Sequence, residues 1–175
     1  MKKSILTLLL VFAVCTLQAQ RNVDRTNFRA GVNGGPVLGD FSEAYSFGLG
    51  LDVYHHWGVS KLLDVGVTTG FFNAFGSKET NEVNGSFSET EFDNIQYIPV
   101  GASLRVYPGK NVGFKFGSDI GYAVGINEGN EGALYYRPSI GIDLNGGISE
   151  LNVSYFVVND DVAFSSVLVS YLFLF

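Results

Sequence analysis

Residues 112–126 read VGFKFGSDIGYAVGI, and the alternation in this stretch decides the fold class. Bulky apolar side chains such as Ile120 and Tyr122 occupy every second position, and the positions between them hold small residues together with Lys115 and Asp119. Because the side chains of a strand point alternately to opposite faces, the stretch predicts one β-strand of about fifteen residues, against about 5–6 in soluble proteins. In a membrane barrel the bulky face contacts lipid, and the small and charged face fills the interior.

The same period of two recurs along the chain, whereas helical spacing is hard to find. Eight alternating segments span roughly residues 28–37, 45–57, 62–75, 95–107, 112–126, 133–144, 148–158 and 162–175. An even number of such segments predicts an all-β fold, an eight-stranded antiparallel up-and-down transmembrane β-barrel.

The N-terminus has the pattern of a secretory signal peptide. A basic start at Lys2 and Lys3 precedes an apolar run over 5–14, which is shorter than the roughly 20 residues of a membrane anchor. Cys15 raises the alternative of a lipoprotein, but the three residues before it fit poorly with the small residues of such a site. We therefore divide the chain into a signal peptide (1–19), an N-terminal periplasmic segment (20–27) and the barrel (28–175).

Composition supports an exported barrel. Without the signal peptide the chain has no cysteine, which excludes disulfides, thiolate metal sites and cysteine nucleophiles. No later apolar stretch reaches the length of a spanning helix. The chain is nevertheless 46% hydrophobic and 14% aromatic and contains 22 glycines, as expected for an outer-membrane barrel.

The connections between the segments alternate in length. Those at 57–61, 108–111 and 145–147 are short, and most of those between them, at 39–44, 76–94, 127–132 and 159–161, are longer. Membrane barrels have short turns on the periplasmic side and longer loops outside. This pattern predicts that both termini lie in the periplasm of a Gram-negative bacterium.

The charged residues divide between the predicted interior and the predicted outer loops. Eleven acidic residues and one basic residue fall in the outer loops, a net charge of −10 on a chain of net charge −6. Four basic and five acidic residues fall on the inward face: Arg29, Arg105, Lys115 and Arg137, with Asp52, Asp64, Asp119, Asp143 and Glu150. An unpaired charge in a narrow barrel costs several kcal/mol, so we expect these nine residues to form a packed charge network.

Glycine is frequent on the same inward face. The inward glycines are Gly48, Gly50, Gly66, Gly70, Gly101, Gly117, Gly121 and Gly141. They leave room for water or a small cavity, or they allow close packing of tyrosine and arginine side chains, and we favour close packing because an eight-stranded barrel has a filled interior.

The chain ends on alternating aromatic residues, Tyr171, Phe173 and Phe175. With the signal peptide, the eight amphipathic strands and the short inner turns, this ending resembles the small eight-stranded outer-membrane barrels of the OmpA/OmpX type over residues 28–175. The resemblance implies that the last strand is the signal for the barrel-assembly machinery, and that outer-membrane lipid and lipopolysaccharide surround the protein. Members of the family serve as anchors, adhesins, solute conduits or lipid A-modifying enzymes.

An enzyme is disfavoured. Enzymes of this architecture imply a histidine near the outer leaflet, but His55 and His56 lie at the predicted periplasmic end, on opposite faces. We read them as residues beside a tryptophan girdle at Trp57.

Acidic residues concentrate in the longest predicted outer loop: Glu79, Glu82, Glu89, Glu91 and Asp93. Their spacing matches no EF-type calcium loop, so we favour a solvated acidic surface over divalent-cation binding or cation bridging to lipopolysaccharide. The pI near 4.8 disfavours nucleic acid, and we assign no cofactor or metal.

We therefore expect a non-enzymatic outer-membrane barrel with a structural or surface-interaction role, whose acidic outer loops contact an unknown extracellular partner. Two alternatives remain: a porin-like conduit for small or apolar molecules, and a soluble exported β-sandwich binding protein.

Overall fold

The computed structural model describes residues 27–83, 86–108 and 113–175, without the side chains of residues 79–91. The predicted signal peptide lies outside these residues, as does almost all of the segment 20–27. The strands are β1 Asn27–Leu38, β2 Tyr45–Ser60, β3 Leu63–Gly76, β4 Lys78–Val83, β5 Ser86–Glu91, β6 Ile95–Val106, β7 Phe114–Gly125, β8 Gly132–Leu144, β9 Ser149–Asn159 and β10 Phe164–Leu174. Short 3₁₀ turns follow β1 at Gly39–Ser42 and β8 at Asn145–Gly147.

Eight of these strands close into one barrel. Its order is β1-β10-β9-β8-β7-β6-β3-β2, and every neighbouring pair is antiparallel. This confirms the eight-stranded antiparallel barrel and excludes the alternative of a two-sheet sandwich. The strand that decided the fold class is shorter than predicted: β7 has 12 residues, with Ile126 outside the strand and Val112 outside the described residues.

Prolines interrupt three of the ladders. The pairing is interrupted over two positions in β1–β10 at Pro36, in β3–β6 at Pro99 and in β8–β9 at Pro138. Proline has no backbone N–H to donate to the ladder. At the first gap the Ser166 hydroxyl donates to the Pro36 carbonyl oxygen at 2.8 Å.

The segment predicted as a long loop contains a hairpin. Strands β4 and β5 pair only with each other, in a two-stranded sheet separate from the barrel. A backbone hydrogen bond from Ser77 to Ala44 links the base of the hairpin to the residues before β2, and one from Phe92 to Ser77 closes the base itself. Alternation within β4 and β5 was not recognised in the sequence because these strands contain few apolar residues.

The barrel interior has two chemically different halves. The half away from the termini is apolar and includes an aromatic cluster in which the rings of Phe72, Tyr97, Tyr135, Phe156 and Phe164 approach one another within 5.5–6.4 Å. The middle and the half nearest the termini contain the buried charges. The described residues include no helix that is long and apolar enough to cross a membrane.

Candidate functional site

The nine charged residues predicted to face inward all lie inside the barrel. Eight of them are at most 7% exposed, and the ninth, Asp143, keeps about a third of its side chain accessible at the barrel end. Their positions follow from the period of two, since each occupies an inward position of its strand. The ion pairs join residues far apart in sequence, so closure of the barrel brings them together.

The first ion pair lies near mid-height. Arg137 donates two parallel hydrogen bonds to the Asp52 carboxylate, at 2.6 and 2.9 Å. It also donates to the Ser154 hydroxyl at 2.8 Å and to the Ser170 hydroxyl at 2.9 Å, and Ser170 in turn donates to Asp52 at 3.2 Å. Such bidentate pairs are among the strongest charge-assisted hydrogen bonds.

The second ion pair joins Arg105 and Asp119, whose closest atoms are 2.7 Å apart. Asp119 accepts further hydrogen bonds from the Ser103 hydroxyl at 2.7 Å and from the Tyr54 hydroxyl at 3.1 Å. The Arg105 guanidinium also lies 4.8 Å from the centre of the Tyr54 ring. His56 Nε2 is 2.9 Å from the Ser103 hydroxyl, which links the buried histidine to this cluster.

The third group lies at the end that carries the termini. Glu150 contacts both Arg29, at 2.5 Å, and Lys115, which also contacts Asp143 at 2.5 Å. Arg29 donates in addition to the Tyr107 hydroxyl at 3.2 Å. The ninth charged residue, Asp64, is fully buried and lies beside the same tyrosine.

Sequence reasoning missed the neutral members of this network. Tyr54, Ser103, Ser154 and Ser170 each hydrogen-bond a buried charge. All four occupy inward positions of their strands, so the alternation would have revealed them if hydroxyl groups had been counted along with charges. Each satisfies a hydrogen-bonding site that the charged residues alone leave open.

The inward glycines make room for large neighbours. A Cβ atom at Gly48 would lie 2.2 Å from the Phe72 ring, and one at Gly117 would lie 2.6 Å from the Arg105 guanidinium. A void of only about 10 Å³ lies beside Asp52 and Arg137. In the described part of the barrel, these glycines therefore allow close packing and do not line an open lumen.

The two histidines face opposite sides of the wall. His56 is fully buried inside the barrel, whereas the His55 ring lies outside, 4.5 Å from the Trp57 ring. Both lie at the end that carries the termini. They therefore do not form a two-histidine site.

Aromatic side chains surround the same end on the outer surface. The three C-terminal aromatic residues predicted as the assembly signal lie on β10 or directly after it. Tyr171 packs edge-on against Phe173 at 5.0 Å, and Phe175 lies 6.0 Å from Phe28 of β1. A backbone hydrogen bond from Phe175 to Phe28 extends the β1–β10 seam.

The opposite end exposes acidic side chains. Asp93 lies there, exposed, and so do Asp40, Glu43, Glu128, Glu131, Asp160 and Asp161. Glu79, Glu82, Glu89 and Glu91 lie on the β4–β5 hairpin, but their side chains are outside the described residues. Among the residues described, no cluster of His, Cys, Asp or Glu is arranged to hold a metal ion.

No family model and no curated protein matches the chain. Solved structures do match. The outer membrane protein Ail of Yersinia pestis in a phospholipid bilayer nanodisc is 13% identical with a TM-score of 0.54, over 86% of this chain and 98% of that one. The crystal structure of Ail, the attachment invasion locus protein of Yersinia pestis, is 15% identical with a TM-score of 0.52, over 86% and 97%. At these identities the likeness is one of fold, and it confirms that the chain has the fold of the small eight-stranded outer-membrane barrels.

Proposed function

We propose that this protein is an integral outer-membrane β-barrel of a Gram-negative bacterium, without enzymatic activity, that acts as a structural or surface-interaction protein. Both termini lie in the periplasm, and the acidic end with the β4–β5 hairpin faces the outside. The lipid partners are outer-membrane lipid and lipopolysaccharide. The barrel-assembly machinery inserts the chain by recognising Tyr171, Phe173 and Phe175.

One observation carries the membrane assignment: the barrel is apolar outside and charged inside. Large apolar side chains are exposed on all eight barrel strands, for example Val100 (52% exposed), Ile120 (65%) and Leu134 (64%). A soluble monomer rarely exposes a contiguous apolar patch larger than a few hundred Å². Lipid is a favourable environment for this apolar surface. The charged side chains do not contact the lipid, because they pair with one another in the interior.

The surface-interaction role rests on the acidic end. The hairpin lies between β3 and β6 in the chain and forms a sheet separate from the barrel, and seven exposed acidic residues lie in the connections at the same end. Charged side chains keep such a surface hydrated, and exposed loops on a rigid scaffold are common sites of binding. We propose this end as the contact surface for an extracellular partner.

Membrane fractionation with gel electrophoresis tests the membrane assignment. The protein should be recovered with the outer membrane, and unboiled samples should migrate differently from boiled ones because the barrel stays folded in detergent. Recovery in the soluble periplasmic fraction would overturn the assignment.

Cysteine labelling of intact cells tests the orientation. The chain without its signal peptide has no cysteine, so Asp160→Cys and Asn145→Cys each introduce a single thiol at opposite ends of the barrel. A membrane-impermeant maleimide should label only Asp160→Cys. Labelling of Asn145→Cys alone would reverse the orientation.

A conduit function is disfavoured by the filled interior. The aromatic cluster occupies the outer half, and the ion pairs occupy the rest. We expect no single-channel conductance in a planar bilayer. Reproducible conductance that disappears in a variant with a larger interior side chain, such as Gly121→Phe, would instead support the conduit.

A further inference from the structure

The β4–β5 hairpin does not simply continue the ladder of the barrel. Pairing between β3 and β6 ends at Ala74 and Ile95, and pairing within the hairpin begins only at Lys78. Between these points the Gly76 backbone N–H donates to a side-chain oxygen, Oδ1 of Asn94, at 3.0 Å. A two-stranded hairpin is at best marginally stable by itself in water. The direction of the hairpin relative to the barrel therefore depends on the contacts at its base.

On one side of that base, the side chain of Asn127 takes the place of a strand backbone. Strand β7 ends at Gly125, and the Ile126 backbone N–H still donates to the Gln96 carbonyl oxygen at 3.2 Å. Asn127 Oδ1 then accepts from the Gln96 backbone N–H at 2.9 Å, and Nδ2 donates to the Asn94 carbonyl oxygen at 2.9 Å. A primary amide offers both the donor and the acceptor of a peptide unit. Asn127 thus extends the β6–β7 ladder to the point where the hairpin leaves the barrel.

Asn130 fixes the loop 127–132 in this position. Its Nδ2 donates to the Gln96 carbonyl oxygen at 3.0 Å, and its Oδ1 accepts from the Gly132 backbone N–H at 3.1 Å. The loop fits here because β7 ends in glycine, since a Cβ atom at Gly125 would lie 2.4 Å from Cγ of Asn130. Gly132 has a φ of 78°, a left-handed conformation that glycine adopts readily, and this turns the chain into β8.

The other side of the base is attached to the chain before β2. The Ser77 backbone N–H donates to the Ala44 carbonyl oxygen at 2.8 Å. Gln96, to which both asparagines bind, is itself attached to β3, because its Nε2 donates to Asn73 Oδ1 at 3.0 Å. The base of the hairpin is therefore held from both sides, and on one side it is held by side-chain amides.

We propose that the loop 127–132, which we call the latch, sets the direction of the β4–β5 hairpin on the barrel. With the latch closed, the hairpin and the loop form one rigid unit. When Asn127 releases Asn94, the hairpin can rotate about its base. A surface that is ordered in advance loses less conformational entropy when it binds a partner. The latch thereby preorganises the proposed contact surface, a role that rests on the proposed function, whereas the latch itself does not.

Pulsed electron paramagnetic resonance measures the direction of the hairpin. Spin labels are attached at Ser88→Cys on β5 and at Asp160→Cys after β9, in the chain without its signal peptide, which has no other cysteine. With the barrel in nanodiscs, we expect one narrow distribution of distances between the labels. Asn127→Ala removes both hydrogen bonds to β6. Because one net hydrogen bond corresponds to about a fivefold change in an equilibrium constant, the ratio of unlatched to latched hairpin should rise about 5- to 25-fold.

Two further variants open the latch in different ways. Asn127→Asp keeps the shape of the side chain and the acceptor, but it loses the donor to the Asn94 carbonyl oxygen. Gly125→Ala keeps every amide but displaces Asn130. Both should broaden the distance distribution. A gel shift on the same samples shows whether each barrel is folded, and if Asn127→Ala does not fold, Asn127→Asp decides in its place.

Asn145→Ala is the matched control. It removes an amide that donates to the Ser149 hydroxyl at 3.2 Å, but at the opposite end of the barrel, and the distance distribution should not change. A broad distribution with the latch intact, an unchanged distribution in folded Asn127→Ala, or an equal broadening in Asn145→Ala would overturn the proposal. Cysteine labelling of intact cells reports the orientation separately: a hairpin that faces the periplasm contradicts the proposed function and leaves the latch unaffected.

Discussion

Replacing Arg137 by methionine tests whether the barrel interior is a packed charge network. Methionine keeps an unbranched apolar stem in place of the arginine stem but removes four hydrogen bonds: two to Asp52, one to Ser154 and one to Ser170. Asp52 is 2% exposed and would retain only the hydrogen bond from Ser170. A buried carboxylate would then lack its counterion.

We expect a large loss in the free energy of unfolding, because the remaining charge on Asp52 stays buried. Removing one partner of a buried ion pair costs about 3–5 kcal/mol. Replacing both partners by apolar residues is often neutral, so the double variant Asp52→Leu/Arg137→Met should recover most of that loss. The double variant separates the cost of the stranded charge from the contribution of the pair itself.

Urea unfolding of the barrel in lipid vesicles measures these free energies. Trp57 is the only tryptophan of the chain and lies on the outer face, so its fluorescence reports the transfer from lipid to water. Glu131→Gln at the exposed end serves as a control and should change the free energy of unfolding by less than about 0.5 kcal/mol.

Two results would refute the reasoning. A loss below about 1 kcal/mol in Arg137→Met would mean that water reaches Asp52 and that the interior is hydrated rather than packed. A double variant that is destabilised more than Arg137→Met alone would mean that the ion pair itself, not the stranded charge, dominates the stability.

Three further predictions concern the glycine positions, the lipid-facing surface and the C-terminus. Gly48→Ala should lower the free energy of unfolding by about 1–3 kcal/mol because its methyl group would overlap the Phe72 ring. Gly113→Ala, whose methyl group would come no closer than 3.3 Å to the Asp143 carbonyl oxygen, should lower it less in the same urea assay. Ile120→Lys should destabilise the barrel in vesicles by about 2–4 kcal/mol because it places a charge in lipid, and an equal loss in Asp160→Lys would contradict this explanation. Deletion of Phe175 should reduce the amount of heat-modifiable barrel in cells. Refolding of the purified variant into detergent should stay largely intact. A failure in both assays would show that the Phe28–Phe175 contact is needed for folding rather than for recognition.

Local sequence was sufficient for the strands and their faces. The period of two located all eight barrel strands within a few residues, and it assigned Lys115 and Asp119 to the interior. The period of two was less reliable at the ends of strands. For example, it predicted that Ile126 belongs to β7, but β7 ends at Gly125. The β4–β5 hairpin could not be predicted from the sequence, because a strand without an apolar face does not show alternation of apolar and polar residues.

The sequence could not predict which charged residues form ion pairs inside the barrel. Arg137 pairs with Asp52, a residue 85 positions away, although Asp119 is its direct ladder partner. Asp119 instead pairs with Arg105 from the neighbouring strand β6. Which carboxylate each arginine reaches depends on the shear of the closed barrel and on which glycines leave space across the lumen.

The sequence by itself therefore determined that long amphipathic strands form, which face of each is apolar and which charges must be buried, because side-chain alternation is a local property of the backbone. Only the tertiary structure decided how those charges pair and that aromatic rings fill the half of the interior away from the termini. These features depend on contacts between strands distant in the chain, and closure of the barrel sets their geometry.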